Sequence, residues 1–443
     1  MTIVRPALLR LRRFVPAALL VAWCLTPSLG PVRAGEQLMT LGAPDGNRFA
    51  ITDKVWPALP GEAHVCLWKD DALAAVTITV DDNTRPDHDW WMQTAAAYNV
   101  KVTWFVITCL VEANPSYHGT WAGFQTLHNV GHDIQSHTVT HLDFSRGFDP
   151  DDGDHGINAE YRDSKAEIET RIGAPCITLA YPGGASTVYN DETVADDYFI
   201  AARGTAGVVN PVNAVNYIRT NSIGGLVVSN PSAPWAQLIN IFDPAVYRAN
   251  NYRAWYVTHY HGLNDTLKAN IIEAMVFLQQ KDAEVGVWIP TFREGALYGQ
   301  QRDSSTLTVT AVEPDRIAFT LTDRMHDGIF TYPLTVKVRL YDTWTDVAAT
   351  QNGRPVEAAM IERDGGRFAL VQAVPDQGPV ELTPAPANSA DFDGDGDVDL
   401  DDFVILKTNF GTPAGATAAE GDADGDGDVD LDDFVVLKNN FGA

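Results

Sequence analysis

From Ala75 to about Arg302 the chain alternates short runs of apolar and β-branched residues with longer stretches whose apolar positions recur at helical spacing. The runs are 75–80, 101–107, 133–136, 177–180, 199–202, 255–259 and 285–289; helices are expected over 88–98, 158–172 and 265–280. Strands alternating with helices imply parallel β/α units, and about seven of them suggest a barrel-like α/β fold. After residue 303 the pattern changes. Residues 307–310, 317–321 and 334–340 alternate apolar and polar side chains between turn residues, which predicts a small β-sandwich over 303–383. A Pro/Ala linker at 384–390 then leads to an internal repeat, in which Asp391–Phe403 lies over Asp422–Phe434 at an offset of 31 residues.

The ends of the chain change the picture. Residues 1–34 carry Arg5, Arg10, Arg12 and Arg13, then an apolar run over 15–25 and the small-residue ending Val32-Arg33-Ala34. This reads as a secretory signal, and its apolar run is far shorter than the roughly 20 residues of a membrane span. A secreted or cell-surface protein without a membrane span is therefore expected, with 35–72 an N-terminal extension and 73–302 the β/α domain. The formal charge is −27; without the five arginines of residues 1–34, a segment with no acid, it is about −32. That balance argues against nucleic acid or an anionic membrane as partner. With Cys24 in the signal segment, Cys66, Cys109 and Cys176 remain, too few for a disulfide framework and enough for one pair at most.

Three places in the β/α region could carry chemistry. The strand Val76–Val80 runs directly into Asp81-Asp82, at the strand end where barrel active sites are built. An Asp pair alone is more often a helix cap with a solvated neighbour. After the strand 133–136 come His137 and His141, four apart. With Asp82 they offer two nitrogens and one oxygen, an open set suited to a catalytic divalent ion if the segment turns helically. At the end of the run 255–259 stand His259 and His261, either of which could protonate a leaving group or be a structural histidine.

In order and spacing, Thr79-Val-Asp81-Asp82, His137-Thr-Val-Thr-His141, Ala180-Tyr-Pro-Gly-Gly184, Ala202-Arg203 and Tyr260-His261-Gly262 resemble the motif set of polysaccharide deacetylases, the carbohydrate esterases of family 4. The resemblance covers roughly residues 73–300. It implies a distorted (β/α)7 barrel, Asp81 as general base, and Asp82, His137 and His141 as ligands of one divalent transition metal, zinc first. It further implies His261 as general acid, preferred over His259 because Gly262 follows it, and the backbone N–H of Tyr181 as an oxyanion donor. Asn83 stands where the family has glycine, Val80 where it has phenylalanine, and Ala180 where many members have a base-orienting arginine, a charge that Arg203 could supply from the next strand. Trp90, Trp91, Trp121 and Tyr181 could stack on sugar rings or belong to the core.

The C-terminal repeats place oxygen ligands at the spacing of calcium loops: Asp391, Asp393, Asp395, Asp397, Asp399 and Asp402, then Asp422, Asp424, Asp426, Asp428, Asp430 and Asp433, with Gly396 and Gly427 at the sharp turn. Aspartate at the twelfth position and the helix that follows each loop resemble a type I dockerin, a paired EF-hand-like module over 391–443 holding two calcium ions. Dockerins dock on cohesins; here Leu400-Asp401 and Leu431-Asp432 replace the usual contact pair, so the implied partner is a cohesin-like or cell-surface scaffold protein. The combined expectation is a secreted, metal-dependent deacetylase that removes N- or O-linked acetyl groups from an extracellular polysaccharide. The alternative is a non-catalytic carbohydrate-binding or cell-surface structural protein on the same barrel. Ala180 favours that alternative; the intact Asp81-Asp82-His137-His141-His261 set favours the enzyme.

Overall fold

The computed structural model describes residues 54–442 except 186, 227, 229–237, 245–250, 386–389, 396 and 425. The expected signal segment and Gly396 lie outside the described residues. The described chain falls into two compact units, one ending at Pro384 and one beginning at Ala385.

The first unit is built on a parallel sheet of β2 (Ala74–Val80), β3 (Val102–Val106), β4 (Asp133–Ser136), β5 (Thr178–Ala180), β6 (Ala201–Arg203), β7 (Ile223–Gly224), β8 (Trp255–Tyr260) and β9 (Val287–Trp288). The order is β6-β5-β4-β3-β2-β8-β7, with β9 also pairing with β2. Every position of β2 and β3 is buried, and both are built from apolar and β-branched residues with no charged side chain. Thr220, just ahead of β7, donates to Ala202 O at 2.8 Å and accepts from Gly204 N–H at 2.7 Å, so the two edges of the curled sheet meet. Around it lie α1 (His88–Ala97), α2 (Pro115–His118), α3 (Trp121–Asn129), α4 (Ile157–Ile172), α5 (Glu192–Asp196), α6 (Asp265–Val285) and α7 (Phe292–Ser304). The expected α/β architecture is present, and the strands other than β7, which none of the runs anticipates, have boundaries within two residues of those runs.

The sandwich is larger than three strands. One sheet has the order β1-β12-β16-β15, the other β10-β11-β17-β13-β14. The strands are β1 (Ala63–Val65), β10 (Thr306–Glu313), β11 (Arg316–Thr322), β12 (Leu334–Arg339), β13 (Asp346–Gln351), β14 (Arg354–Pro355), β15 (Ala358–Arg363), β16 (Gly366–Ala373) and β17 (Val380–Ala385). Its first sheet begins with β1, ahead of the parallel sheet in sequence: Ala63 pairs with Val338. One apolar core runs through both layers, from Phe105, Trp255 and Phe292 to Phe319, Val336 and Val371. Helix α7 joins them. Its Gly295 lets Trp255 stack on Phe292 at 5.4 Å, since a Cβ there would meet the indole at 2.5 Å. Arg302, near its end, is buried; it donates to Leu67 O at 2.7 Å and pairs with Asp303, which accepts from Tyr217 Oη.

In the second unit, α8 (Leu400–Asn409) and α9 (Leu431–Asn440) each follow one Asp-rich loop. Leu406 and Leu437 bury one face of each helix against Ala390, Phe392, Val398, Ala423 and Val429. Phe403 and Phe434 meet edge to face at 6.2 Å.

Candidate active site

Where β2 ends, the chain makes an abrupt reversal: Asp82 and Asn83 have φ of 61° and 65°. Asparagine tolerates this left-handed region better than most residues, which accounts for Asn83 at this turn. Its buried amide acts as an extra length of strand, donating to Ile107 O at 3.1 Å and accepting from Ile107 N–H at 2.8 Å. The reversal buries Asp81 and leaves Asp82 partly exposed.

The His137–His141 segment does not turn helically. Thr138 and His141 have φ of 67° and 64°, and the two imidazoles still reach each other, with ring centroids 4.8 Å apart. What holds this loop is Glu160 on α4. Its buried carboxylate accepts from Val139 N–H and Thr140 N–H, both at 2.8 Å, and from Thr140 Oγ1 at 2.6 Å. His137 is within 2.8 Å of Ala180 O. A carbonyl only accepts, so Nδ1 carries the proton and Nε2 keeps its lone pair, as metal-bound histidines do. Burial drives His137 down to about 4, so it is neutral at ordinary pH.

Asp82 Oδ1 lies 3.5 Å from His137 Nε2 and 3.7 Å from His141 Nε2; it is buried and accepts no hydrogen bond. Ligands about 2.0–2.2 Å from a tetrahedral ion sit about 3.4 Å apart, so these spacings are too long for hydrogen bonds and right for an ion between them. The donor set and the unpartnered oxygen both fit a divalent metal.

Asp81 points to the same place from a different setting. Its Oδ2 accepts from Arg203 Nη2 at 2.5 Å, and both side chains are buried. Burial alone would raise its carboxyl, but the Arg203 guanidinium and the surrounding histidines hold it below the ordinary carboxylate value. Arg203 thus comes from β6 beside Ala180, its partner in register, and fills the place left open there. Ser222 steadies it: the hydroxyl donates to Gly204 O at 2.6 Å and lies 3.2 Å from Arg203 Nη1 and 2.8 Å from His259 Nδ1. His259 is thereby committed, and burial lowers it to about 4. His261 is the exposed member, its Nε2 3.9 Å from Asp81 Oδ2 and 3.8 Å from Asp82 Oδ2. Tyr181 requires a correction. Its backbone N–H donates to Arg203 O at 3.0 Å, extending the β5–β6 ladder, and is not free for an oxyanion; its hydroxyl donates to Ile218 O. Trp91, Trp121 and Tyr181 are core side chains, and Trp90 is partly buried. All three described cysteines are free.

In the C-terminal unit, Asp402 and Asp433 close the loops. Asp402 accepts from Phe392 N–H at 2.6 Å and Asp399 N–H at 2.8 Å; Asp433 accepts from Ala423 N–H and Asp430 N–H, both at 2.7 Å. Asp399 and Asp430 cap α8 and α9 reciprocally. Carboxylates converge as Asp391-Asp393-Asp402, Asp397-Asp399-Asp402, Asp422-Asp424-Asp433 and Asp428-Asp430-Asp433. Asp395 and Asp426 accept the N–H groups of Asp397 and Asp428. Gly427 has φ of 92°, the left-handed turn expected at the sixth position. Partial burial and neighbouring carboxylates raise Asp397 and Asp428, each with a buried oxygen that accepts no hydrogen bond.

Sequence reasoning missed Glu160 and Ser222. The only trace of Glu160 is an acid on the inward face of an amphipathic helix; Ser222 leaves no signal.

Among known proteins, residues 69–198 match the family model of polysaccharide deacetylases. A gellan lyase from Bacillus sp. is 37% identical over 381 residues, 82% of this chain, and the chain spans 14% of that protein's length. The chain is also similar to the Streptococcus pyogenes deacetylase PplD in complex with acetate: 18% identity, 44% of this chain, 68% of that one, TM-score 0.27. A family 4 acetyl xylan esterase from Clostridium thermocellum in complex with a cobalt ion gives 18% identity, 50% and 89% coverage, and a TM-score of 0.31. Residues 69–198 thus match a polysaccharide deacetylase domain, and the match points to a carbohydrate-modifying enzyme.

Proposed function

We propose that the chain hydrolyses acetyl groups, N- or O-linked, from a polysaccharide outside the cell, using a divalent metal held by Asp82, His137 and His141. The observation that carries this reading is the convergence of those three ligands with Asp81 and His261 around one ion-sized gap. A divalent ion there, zinc first, would polarise the acetyl carbonyl and lower the pKa of a bound water. Asp81, kept ionised by Arg203, takes the proton as water attacks the carbonyl carbon. His261, on the open side of the gap, gives a proton to the departing amine or alcohol as acetate leaves. Ser222 fixes the Arg203 fork, and Glu160 fixes the loop bearing both histidine ligands.

The C-terminal unit is proposed as a dockerin-like module that takes two calcium ions and docks the enzyme on a cohesin-like or cell-surface scaffold. A bacterial exopolysaccharide is the favoured substrate class, since the matched relative is named for action on gellan. The test is acetate release from acetylated exopolysaccharide, xylan, chitin and peptidoglycan fragments, with metal restored after chelation. No release from any of them by metal-loaded protein would leave the alternative, a non-catalytic carbohydrate-binding protein.

A further inference from the structure

In the first unit, the exposed aromatic side chains among the described residues are Tyr117, Phe144 and Tyr189, at 51, 57 and 39%. They are not scattered. Each is carried on the segment that follows one of three adjacent parallel strands: Tyr117 on α2 after β3, Phe144 after β4, and Tyr189 after β5. These segments lie at the carboxyl end of the sheet, the end that carries Asp82, His137 and His141. Phe144 is three residues beyond His141. Tyr117 stacks edge-on against His118, with ring centroids 4.9 Å apart.

The platform is preformed. Phe144 and Tyr189 meet at 5.5 Å, and both pack edge-on against the buried Phe148, at 5.4 and 5.5 Å. The turn bearing Phe144 is held by Asp143, which accepts from Ser145 N–H and Oγ, and by Arg146, which bonds Thr140 O. The segment bearing Tyr189 is held by Asn190, which donates to Pro182 O and Gly184 O. Exposed rings locked by polar contacts around them, rather than buried by them, suit a ligand that presents flat apolar faces. A pyranose ring presents such a face of C–H groups, and aromatic side chains with fixed orientation hold it at low entropic cost.

We propose that Phe144 with Tyr189 forms one sugar-binding subsite and Tyr117 a second, so that the enzyme takes an extended glycan chain across the metal gap rather than an isolated acetylated sugar. This rests on the deacetylase reading and specifies its substrate as a polymer engaged over several rings.

The test is binding and kinetics of the full chain with hexameric fragments of acetylated bacterial exopolysaccharide, chitin and xylan. Phe144→Ala, Tyr189→Ala and Tyr117→Ala should each weaken binding of a hexamer, as Kd and KM, by about tenfold. Tyr189→Phe keeps the ring and should keep the affinity, and Val309→Ala, an exposed apolar position on the sandwich, should change nothing. Among the described residues Tyr117 has a ring contact with its neighbour His118 alone, so Tyr117→Ala decides the matter should Phe144→Ala unfold. Wild-type affinity in all three alanine variants, or no binding of any of the three hexamers by the wild type, overturns the proposal. Aromatic-dependent binding without acetate release would sink the deacetylase reading and leave the subsites standing; acetate release with unchanged KM in the variants would do the reverse.

Discussion

Arg203→Met tests the electrostatics of the base directly. The substitution keeps much of the side-chain volume and removes the guanidinium that bonds buried Asp81. In the wild type Asp81 is held below its ordinary value, so its contribution to stability is present above the unfolded carboxylate value near 4 and is lost as pH falls through the lower folded value. Without Arg203, burial is the largest remaining influence and acts in the opposite direction, so the sign reverses. The variant should be about 3–5 kcal/mol less stable than wild type at pH 8, the usual consequence of stranding one partner of a buried pair. As pH falls and Asp81 takes up a proton, the deficit should shrink by about 1.4 kcal/mol per pH unit. Urea unfolding of chelator-treated protein from pH 5 to 8 measures this as the difference between variant and wild type, in which other groups largely cancel. Adding Asp81→Asn should recover most of the loss, since no charge is then left buried. A deficit independent of pH, or a double variant no more stable than the single one, would refute the argument.

His137→Ala should abolish stoichiometric binding of zinc or cobalt, checked by calorimetry; retention would remove His137 from the ligand set. Asp81→Asn should stop acetate release while leaving metal affinity within a few-fold, whereas Asp82→Asn should weaken metal binding as well, and identical behaviour would contradict the division between them. Glu160→Ala, which strands three donors, should lower metal affinity about 10–100-fold while Glu160→Gln retains most of it. Calcium should raise the unfolding temperature of the C-terminal unit and a chelator should lower it, because fourteen aspartates repel one another until the ions bind; a calcium-independent melt would show the loops to be something else.

Much of this arrangement was legible in the chain because it lay in strand ends. Uncharged runs of apolar and β-branched residues such as 76–80 and 102–106 mark strands buried on both faces, and the residue after a strand is placed at the carboxyl end of the sheet, as Asp81 and His137 are. Support at a distance was not legible. Glu160 reaches back about 20 residues, and Ser222 links β6 to β8. A polar residue on a helix or loop has the same appearance in sequence whether it faces water or a backbone reversal. The helical turn expected at His137–His141 failed for a related reason, because buried hydrogen bonds from Glu160 fix a left-handed Thr138 that local propensity disfavours. The backbone donor of Tyr181 was misjudged because a strand three residues long by hydrogen-bond pattern continues its pairing one residue further.

β1 sits in the sandwich sheet opposite β12, although the whole parallel sheet lies between them in sequence. The barrel is therefore an insertion in the sandwich, not its upstream neighbour. On a ribosome, the strand at 63–65 emerges early and waits for about 270 further residues before its partner exists, at a few residues to tens of residues per second. During that interval the apolar surface of Trp68 and α7 has no cover from Val336 and Phe319. A gene fragment cut at the apparent boundary near 303 would make that exposure permanent, so a unit moved between proteins has to keep β1, the barrel and the rest of the sandwich together.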